Sequence, residues 1–387
     1  MHPLADGLAL AIVSLLLTPA LSGEARMADD VALVPPPVSS APGAEYADGV
    51  RMFQGIPTLE RSPKGRLWAA WYGGGVTEDR HNYILLVNSG DDGRTWSSLK
   101  LVIDPDGDGP CRAFDPCLWL DPDGRLWLFW AERHKSTQLW AITTRNPDDE
   151  TPAWTPPSHI AEGIMMDKPL VLADGAWLLP VALWGRDDSC RVIASTDKGK
   201  TWERRGAASI PEPKDRNCDE HMLVQRRDGS LWLLARTAYG IGESVSTDAG
   251  RTWSPVVHSA IEHTTSRFFI RRLASGKLLL VKHGPVGKRT GRSHLTAYLS
   301  ADDGKTWTGG LLLDERAGVS YPDGTQAPDG TIYTIHDYSR TGAKLILLSV
   351  FTEADVAAGQ AVTQTARFRI VVNQATGVNP ATAPRKP

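Results

Sequence analysis

The sequence lacks the features that nucleic-acid-binding, zinc-binding and membrane-spanning proteins require. Its 387 residues carry a net charge of −3, so we expect no concentrated basic face for nucleic acid. Its four cysteines form no CxxC or Cys/His spacing of a structural zinc site. They either pair in an oxidising compartment or stay as buried thiols. The N-terminal apolar run, residues 8–17, is too short to cross a bilayer.

That apolar run has a second interpretation, as the core of an export signal. Ala20 and Ser22 follow it and suit a small-residue cleavage site, so residues 1–23 are predicted to be a signal peptide. The protein would then be secreted or periplasmic. No Lys or Arg precedes the run, and a start at Met27 would instead leave a cytoplasmic protein. Residues 24–48 are rich in Pro, Ala and Ser and are predicted to be a linker outside the fold.

Long amphipathic helical patterns are also missing, and short repeats take their place. The motif S-x-D-x-G-x-T-W occurs four times, at residues 89–96, 195–202, 246–253 and 300–307. The spacing predicts a degraded copy near residues 143–155, where an Asp and a Trp are retained. A second repeat, a Gly turn followed by an aromatic or apolar strand, occurs six times, at Gly65, Gly124, Gly175, Gly229, Gly276 and Gly330.

The two repeats agree on units of about fifty residues, each with several short strands. Such units are typical of propeller blades. The sequence therefore predicts an all-β, six-bladed β-propeller over residues 49–375, followed by a flexible tail at 376–387. Within the motif, Ser and Asp can bind turn backbone, Gly can take a positive φ and Trp can pack between strands. The motif aspartates are thus predicted to serve folding.

The motif resembles the Asp-box of the sialidase superfamily, and the likeness covers nearly the whole predicted propeller. Asp-boxes also occur in non-catalytic propellers, so they imply the fold and leave the activity open. Sialic acid carries its carboxylate on the anomeric carbon, which would repel a carboxylate nucleophile. The family therefore uses a tyrosine activated by a glutamate, an aspartate as acid/base and arginines that bind the substrate carboxylate.

Several segments resemble those that carry the family's site. The strand "CDEHMLVQRRDGSLWLLART" implies Glu220 as the base and Arg236 as the second arginine. The segment "GRSHLTAYLSADDGKTW" implies Arg292 as the third arginine. The segment "GVSYPDGTQAPDGTIYTIHD" implies Tyr321 as the nucleophile. A tyrosine beside a proline at a strand end also fits core packing, which is the alternative for Tyr321.

The first arginine of the family is missing. Sialidases open with a Phe-Arg-Ile-Pro-like strand, and this sequence reads "MFQGIPTLE", with Gln54 or Gly55 where the arginine is expected. Gln54 could donate one hydrogen bond to a carboxylate but carries no charge. Arg80 and Arg112 are the nearest arginines that could compensate.

The acid/base is expected in "GGGVTEDRHNYILLVNSGDDG", with Asp79 as the closest match and Glu78 as the alternative. His81 is a further candidate, since a histidine pKa lies near neutrality. Other polar residues on predicted blade edges could add to a wide polar site or form buried ion pairs: Asp115, Asp167, Lys168, His221, Arg267, Asp337 and Arg340.

Three functions remain open at this point. The first is an exo-acting, sialidase-like glycoside hydrolase that cleaves the terminal acidic sugar of a glycan. The second is a polysaccharide lyase on a uronate-containing glycan, with His81 or Tyr321 as the base. The third is a secreted glycan-binding propeller without catalysis. In each case the expected partner is an acidic glycan, with no nucleic acid, no membrane span and no cofactor or metal site assigned, and a monomer is expected. Bound calcium is left open.

Overall fold

The computed structural model describes residues 30–381. The predicted signal peptide and residues 382–387 of the predicted tail lie outside the described residues. The described chain is almost entirely β-structure and forms six antiparallel sheets that follow one another around a ring. This confirms the predicted six-bladed β-propeller. No helix within residues 30–381 is long and apolar enough to cross a membrane.

Each blade uses four strands that are consecutive in the chain. The strands of the first three blades are β2 (Phe53–Arg61), β3 (Leu67–Gly74), β4 (Asn82–Ser89) and β5 (Leu101–Ile103); β6 (Arg112–Leu120), β7 (Leu126–Arg133), β8 (Thr137–Thr144) and β9 (Ser158–Glu162); β10 (Leu170–Val171), β11 (Trp177–Ala182), β12 (Cys190–Ser195) and β13 (Glu203–Ala208). Those of the last three are β14 (Arg216–Gln225), β15 (Leu231–Thr237), β16 (Gly240–Ser246) and β17 (Val257–His258); β18 (Phe269–Arg272), β19 (Leu278–His283), β20 (Leu295–Ser300) and β21 (Thr308–Asp314); β22 (Val319–Gln326), β23 (Ile332–Tyr338), β24 (Leu345–Phe351) and β25 (Arg367–Gln374).

Within residues 30–381, helical structure is confined to connections. Three short 3-10 turns span Val31–Leu33, Ala44–Tyr46 and Pro213–Asp215. One α-helix, α1 (Glu353–Ala358), begins at Thr352, whose side chain accepts from the backbone of Asp355 in a capping box, and ends at a left-handed Gly359.

The antiparallel order within every blade separates the connections onto two faces of the ring. The six predicted glycine turns all join the first strand of a blade to its second. The four Asp-boxes, and the degraded copy at residues 143–155, all join the third strand to the fourth. In an antiparallel sheet these two kinds of connection lie on the same side, which we call the box face. Loops between second and third strands, and connections between blades, lie on the opposite face.

The Asp-box at residues 246–253 shows how the motif closes its turn. The Asp248 carboxylate accepts hydrogen bonds from the Thr252 hydroxyl at 2.6 Å, the Thr252 N–H at 2.9 Å and the Ser246 hydroxyl at 2.8 Å. The Ser246 hydroxyl in turn accepts from the Gly250 N–H at 2.9 Å, and Gly250 has a φ of 86°. The predicted folding role of the motif aspartates matches this geometry.

The hydrophobic core is divided into six clusters, and each lies mainly between two neighbouring blades. The Asp-box tryptophans belong to these interfaces. Trp202, for example, packs 6.1 Å from Trp127 of the second blade and 6.3 Å from Trp177 of its own blade, measured between ring centroids. The boxes therefore connect turn formation within a blade to packing between blades.

Buried ion pairs join the inner strands around the central channel. The Lys168 ammonium donates to the carbonyls of Leu59 at 2.6 Å and Leu118 at 2.7 Å, and it lies 3.2 Å from the Asp323 carboxylate. Asp323 also accepts from the Thr58 hydroxyl at 2.7 Å. Because Thr58 belongs to the first blade and Asp323 to the sixth, this cluster closes the ring.

The segment predicted to be a linker is part of the folded unit wherever the structure describes it. β1 (Val38–Ser39) pairs with β5 and adds a fifth strand to the first blade. The buried Asp30 carboxylate accepts from the Ser136 backbone N–H at 2.9 Å, and the Tyr46 hydroxyl donates to Asp104 at 3.1 Å. Residues 30–48 therefore correct the expectation of a linker outside the fold, because their few polar anchors hold a Pro-rich strand against the first two blades. All four cysteines are free thiols.

We expect Asp248→Ala to lower the melting temperature by a few degrees, because the Thr252 and Ser246 donors lose their shared acceptor. The hydrogen bond from the Thr252 hydroxyl lowers the pKa of Asp248 below its ordinary value of 3.8. The stabilisation is therefore present above pH 3.8 and is lost as pH falls further, so the difference from wild type should shrink in acid. Thr247→Ala, at the exposed neighbouring position, is the control for thermal unfolding between pH 3 and pH 7. An unchanged melting temperature would contradict a folding role for the box.

Candidate active site

Bulges in the inner strands shape a pocket on the face opposite the boxes. The first strands of blades 1, 2, 4 and 6 each lose their pairing register near one end. Each interruption holds at least one non-glycine residue with positive φ: Ile56, Asp115, Cys218 together with Asp219, and Tyr321. Such backbone costs on the order of 1–3 kcal/mol per residue and is frequent at functional sites. Here the bulges direct Ile56, Asp115, Tyr321 and Glu220, the neighbour of Asp219, toward one pocket.

Tyr321, Glu220 and Arg236 form the centre of this pocket. The Tyr321 hydroxyl donates to Glu220 Oε1 at 3.1 Å. One guanidinium nitrogen of Arg236, Nη1, donates to both partners, at 2.6 Å to the Tyr321 oxygen and at 2.9 Å to Glu220 Oε1. All three side chains are buried. Burial raises the pKa of Tyr321 above its ordinary value of 10, so the phenol is neutral near pH 7 and needs a base to react.

Four arginines line the pocket. Arg236, Arg292 and Arg112 were predicted from the sequence as substrate-binding candidates, and they are joined by Arg340, which the sequence offered only as a polar residue of a blade edge. The Arg292 and Arg340 guanidinium carbons lie 5.6 Å and 4.4 Å from the centre of the Tyr321 ring, and Arg112 lies 4.1 Å from the Phe114 ring. A concave site with several fixed guanidinium groups attracts anions and can bind a carboxylate through paired hydrogen bonds.

Asp115 is the most perturbed carboxyl group of the pocket. It is buried, and burial, followed by the nearby Glu220 and Glu78, raises its pKa to about 8. Asp115 therefore carries a proton at neutral pH and can donate a hydrogen bond to a ligand.

The loop between β3 and β4 places Glu78 and Asp79 differently. Glu78 lines the pocket, and its carboxylate accepts from Arg340 Nη1 at 2.8 Å. The Asp79 carboxylate turns back into its own loop, where it accepts from the N–H groups of Val76 at 3.0 Å and His81 at 2.9 Å. Asp79 and His81 line a neighbouring cavity of about 570 Å³ on the rim of blade 1. The alternative acid/base, Glu78, is the one that lies beside Tyr321 and Glu220.

Two predicted substrate-binding residues lie away from the pocket. The Gln54 side chain is fully buried, accepts from Trp71 Nε1 at 3.0 Å and donates to the Lys344 carbonyl at 2.7 Å. Arg80 is a rim residue whose guanidinium donates to the carbonyls of Asp108 and Gly109. Neither side chain is among those that line the pocket.

The remaining polar residues of the predicted blade edges divide between the pocket and the scaffold. Lys168 and Arg267 form buried ion pairs with Asp323, and His221 contacts the Arg191 carbonyl at 2.8 Å. Asp167 lies on a second cavity of about 570 Å³ that opens on the box face. The two cavities of about 570 Å³ are thus different from the smaller pocket that holds Tyr321, Glu220 and Arg236. Among residues 30–381, no group of three His, Cys, Asp or Glu side chains is arranged to hold a metal ion.

A local sequence signal marks three of the bulges and could have placed Asp115 among the main candidates for the site. Proline follows the positive-φ residue in blades 1, 2 and 6, at Pro57, Pro116 and Pro322. Proline has no N–H for the ladder, so a proline inside an apolar inner strand indicates a bulge. No comparable signal distinguishes Arg340, whose place in the pocket depends on how the last blade meets the first.

We expect Asp115→Asn to stabilise the protein at pH 8 relative to pH 4. The pKa of this carboxyl is raised from 3.8 to about 8, so its contribution to stability is complete below pH 3.8 and is lost as pH rises through 8. Asparagine keeps the shape, tolerates positive φ and has no charge to bury. The melting temperature of the variant minus that of wild type should therefore rise by a few degrees between pH 4 and pH 8. Asp329→Asn, in an exposed turn, should show a flat difference, and a flat difference for Asp115→Asn would contradict the raised pKa.

Comparison with known proteins agrees with this fold. Residues 65–334, well over half of the chain, match the family described as BNR repeat-like domain. A sialidase of Micromonospora viridifaciens is 26% identical over 386 residues, which cover 84% of this chain and 57% of the relative. A sialidase of Bacteroides fragilis is 24% identical over 314 residues, covering 67% and 55%. The chain thus spans about half the length of the curated relatives it matches. The solved structure of a Hadza microbial sialidase superposes with a TM-score of 0.64 at 20% identity, covering 80% of this chain and 68% of that one. The chain belongs to the BNR repeat-like domain family and, with it, to the sialidase superfamily of BNR-repeat propellers.

Proposed function

We propose that this protein is a retaining glycoside hydrolase of sialidase type that releases a terminal acidic sugar from a glycan. The observation that carries the proposal is the contact between the Tyr321 hydroxyl and Glu220 at 3.1 Å, inside a pocket of arginines. A base within hydrogen-bond distance of a buried phenol is the arrangement that activates such a nucleophile. A propeller that only binds glycans has no need of it.

In the proposed first step, the Tyr321 oxygen attacks the anomeric carbon and its proton moves to Glu220 Oε1. The bond to the leaving oxygen breaks, and the sugar is left attached to Tyr321. Arg236 Nη1 donates to both oxygens, so it holds the pair together and stabilises negative charge on the phenolate. A phenol suits this role because a neutral nucleophile is not repelled by a carboxylate on the carbon it attacks.

We assign the acid/base role to Glu78 within this proposal. Its carboxyl group lies at the pocket mouth, and its side chain is 44% exposed, so it can reach a glycosidic oxygen and exchange protons with water. With a proton taken up from water, it protonates the leaving oxygen in the first step. In the second step it takes a proton from the water that attacks the anomeric carbon, the bond to Tyr321 breaks, and Glu220 returns its proton to the Tyr321 oxygen. The Asp79 carboxylate instead stabilises its own loop, because it accepts hydrogen bonds from backbone N–H groups there.

The lyase alternative has less support from the geometry. Of its two candidate bases, His81 lines the rim cavity instead of the pocket, and the Tyr321 hydroxyl donates to Glu220, the contact that suits a nucleophile. The His81 imidazole lies 3.8 Å from the exposed Asp108 carboxylate.

We expect Tyr321→Phe to lower kcat by roughly 10³-fold or more, as loss of a covalent nucleophile does elsewhere, with little change in ligand affinity. The assay uses sialylated and uronate-capped glycans and follows both free sugar and the ultraviolet absorbance of a new double bond. Tyr338→Phe, in the same blade but outside the pocket, is the matched control. Free sialic acid without absorbance supports the hydrolase. Absorbance would favour the lyase, and turnover unchanged by Tyr321→Phe would exclude this nucleophile.

We expect Glu78→Gln to lower kcat/KM on sialyllactose by roughly 10²- to 10⁴-fold, the usual contribution of a general acid. An aryl sialoside, whose leaving group needs little protonation, should be affected much less. Asp79→Asn is the control, and we expect it to reduce both substrates equally if it loosens the loop. The reverse result, with a leaving-group dependence for Asp79→Asn alone, would return the acid/base role to Asp79.

A further inference from the structure

The innermost strand of blade 1 lacks a side chain at the point where it borders the pocket. Gly55 lies at the bulge of β2, between the buried Gln54 and the positive-φ Ile56. A Cβ atom on Gly55 would lie 2.8 Å from both Cγ and Cδ of Arg340 and 3.0 Å from its Nε. The space that any side chain at residue 55 would enter is therefore filled by Arg340, which comes from the last blade.

The fold holds Arg340 in this space from two sides. Its backbone carbonyl accepts from the Gln54 N–H at 3.2 Å, which ties the loop between β23 and β24 to β2. Its Nε donates to Asp337 Oδ2 at 2.9 Å, and its Nη2 donates to the Ser320 hydroxyl at 3.0 Å. Asp337 also accepts from the Ile56 N–H at 2.8 Å. The same carboxylate thus fixes the bulge of β2 and the guanidinium that covers it.

The outer part of the Arg340 guanidinium faces the pocket. Nη1 donates to the Glu78 carboxylate at 2.8 Å, and the Glu78 side chain is 44% exposed while that of Asp337 is fully buried. A partly exposed carboxylate such as Glu78 can be exchanged for a ligand carboxylate, whereas the buried Asp337 stays in place. With Arg236 hydrogen-bonded to the Tyr321 oxygen and Arg292 near the same ring, three guanidinium groups surround one phenol.

We propose that Arg340 binds the substrate carboxylate in place of the side chain that β2 lacks at residue 55. The inference rests on the proposed function and adds one residue to it. On binding, the ligand carboxylate displaces Glu78 from Nη1 and is held between Arg340, Arg236 and Arg292. Glu78 is released toward the leaving oxygen, so carboxylate recognition at Arg340 is coupled to placement of the acid/base.

The test compares N-acetylneuraminic acid with its methyl ester, which removes the carboxylate charge. We expect wild type to prefer the acid, and Arg340→Ala to weaken binding of the acid by roughly 10- to 100-fold, as expected for loss of a charge-assisted pair, with the ester little affected. Arg340→Lys keeps the positive charge but loses the paired N–H donors of the guanidinium. Its affinity for the acid should therefore lie between those of wild type and Arg340→Ala. Calorimetry on the full chain measures the affinities, and the kinetic counterpart is a rise in KM on sialyllactose.

A reciprocal pair of variants separates binding from scaffolding. Gly55→Arg alone introduces a side chain into occupied space and should weaken binding of the acid. Gly55→Arg combined with Arg340→Ala vacates that space, so an arginine from β2 can reach the pocket, and we expect it to restore part of the preference for the acid over the ester. A purely structural role for Arg340 predicts no such restoration.

Arg316→Ala is the matched control. Arg316 pairs with the buried Asp314 and lies 3.7 Å from the Tyr338 ring, the same arrangement outside the pocket. Its loss should cost stability in thermal unfolding without changing the preference for the acid. If Arg340→Ala and Arg340→Lys both keep the wild-type preference, the inference is overturned while the proposed function stands. If wild type binds neither ligand and releases no sialic acid, the proposed function fails, and this inference fails with it.

Discussion

The candidate site depends on the interruption of regular strand geometry where the inner strands reach one face of the ring. In an unbroken strand, side chains alternate strictly between the two sides, and Tyr321 and Asp115 would share the interfaces between blades with their neighbours. The bulges instead turn selected side chains into a common pocket. Because each bulge stores backbone strain, the surrounding ring must hold it, and the shape of the pocket therefore depends on the closure of the propeller.

Two buried aspartates of the last blade provide that support. Asp323 ends the bulge that begins at Tyr321 and accepts from Thr58 and from the Leu59 N–H of the first blade. Asp337 accepts from the Ile56 N–H in the same first-blade strand. Backbone N–H groups freed by a bulge need partners when they are buried, and these carboxylates supply them across the seam between first and last blades. Ring closure and placement of the Tyr321 side chain thus use the same contacts.

The sequence was sufficient for features that repeat and insufficient for features that depend on the seam. The spacing of boxes and glycine turns predicted six blades, because each unit has the same local chemistry and antiparallel order then assigns every turn to a face. The segment matches brought Glu220, Arg236, Arg292 and Tyr321 into one pocket. The predicted substrate-binding role of Gln54 was misleading, because a bulge shifts the register of the strand and its sequence position then no longer shows which way the side chain points. Composition also misjudged residues 30–48, since a Pro-rich segment still packs when anchors such as Asp30 have partners in the folded unit.

The balance of charges in the pocket argues for one anionic ligand. The four arginines of the pocket lie near three carboxylates, Glu78, Glu220 and Asp337, the last of which lies behind Arg340. While Asp115 keeps its proton, the arginines exceed these carboxylates by one formal charge. A single ligand carboxylate completes the balance, and its binding would in turn be opposed once Asp115 ionises near pH 8. An arginine at residue 55 would add a further positive charge to the pocket unless one of the four arginines were absent. The absence of a side chain at Gly55 and the presence of Arg340 are therefore two aspects of one arrangement, in which the pocket keeps its charge while the arginine comes from the opposite side of the seam.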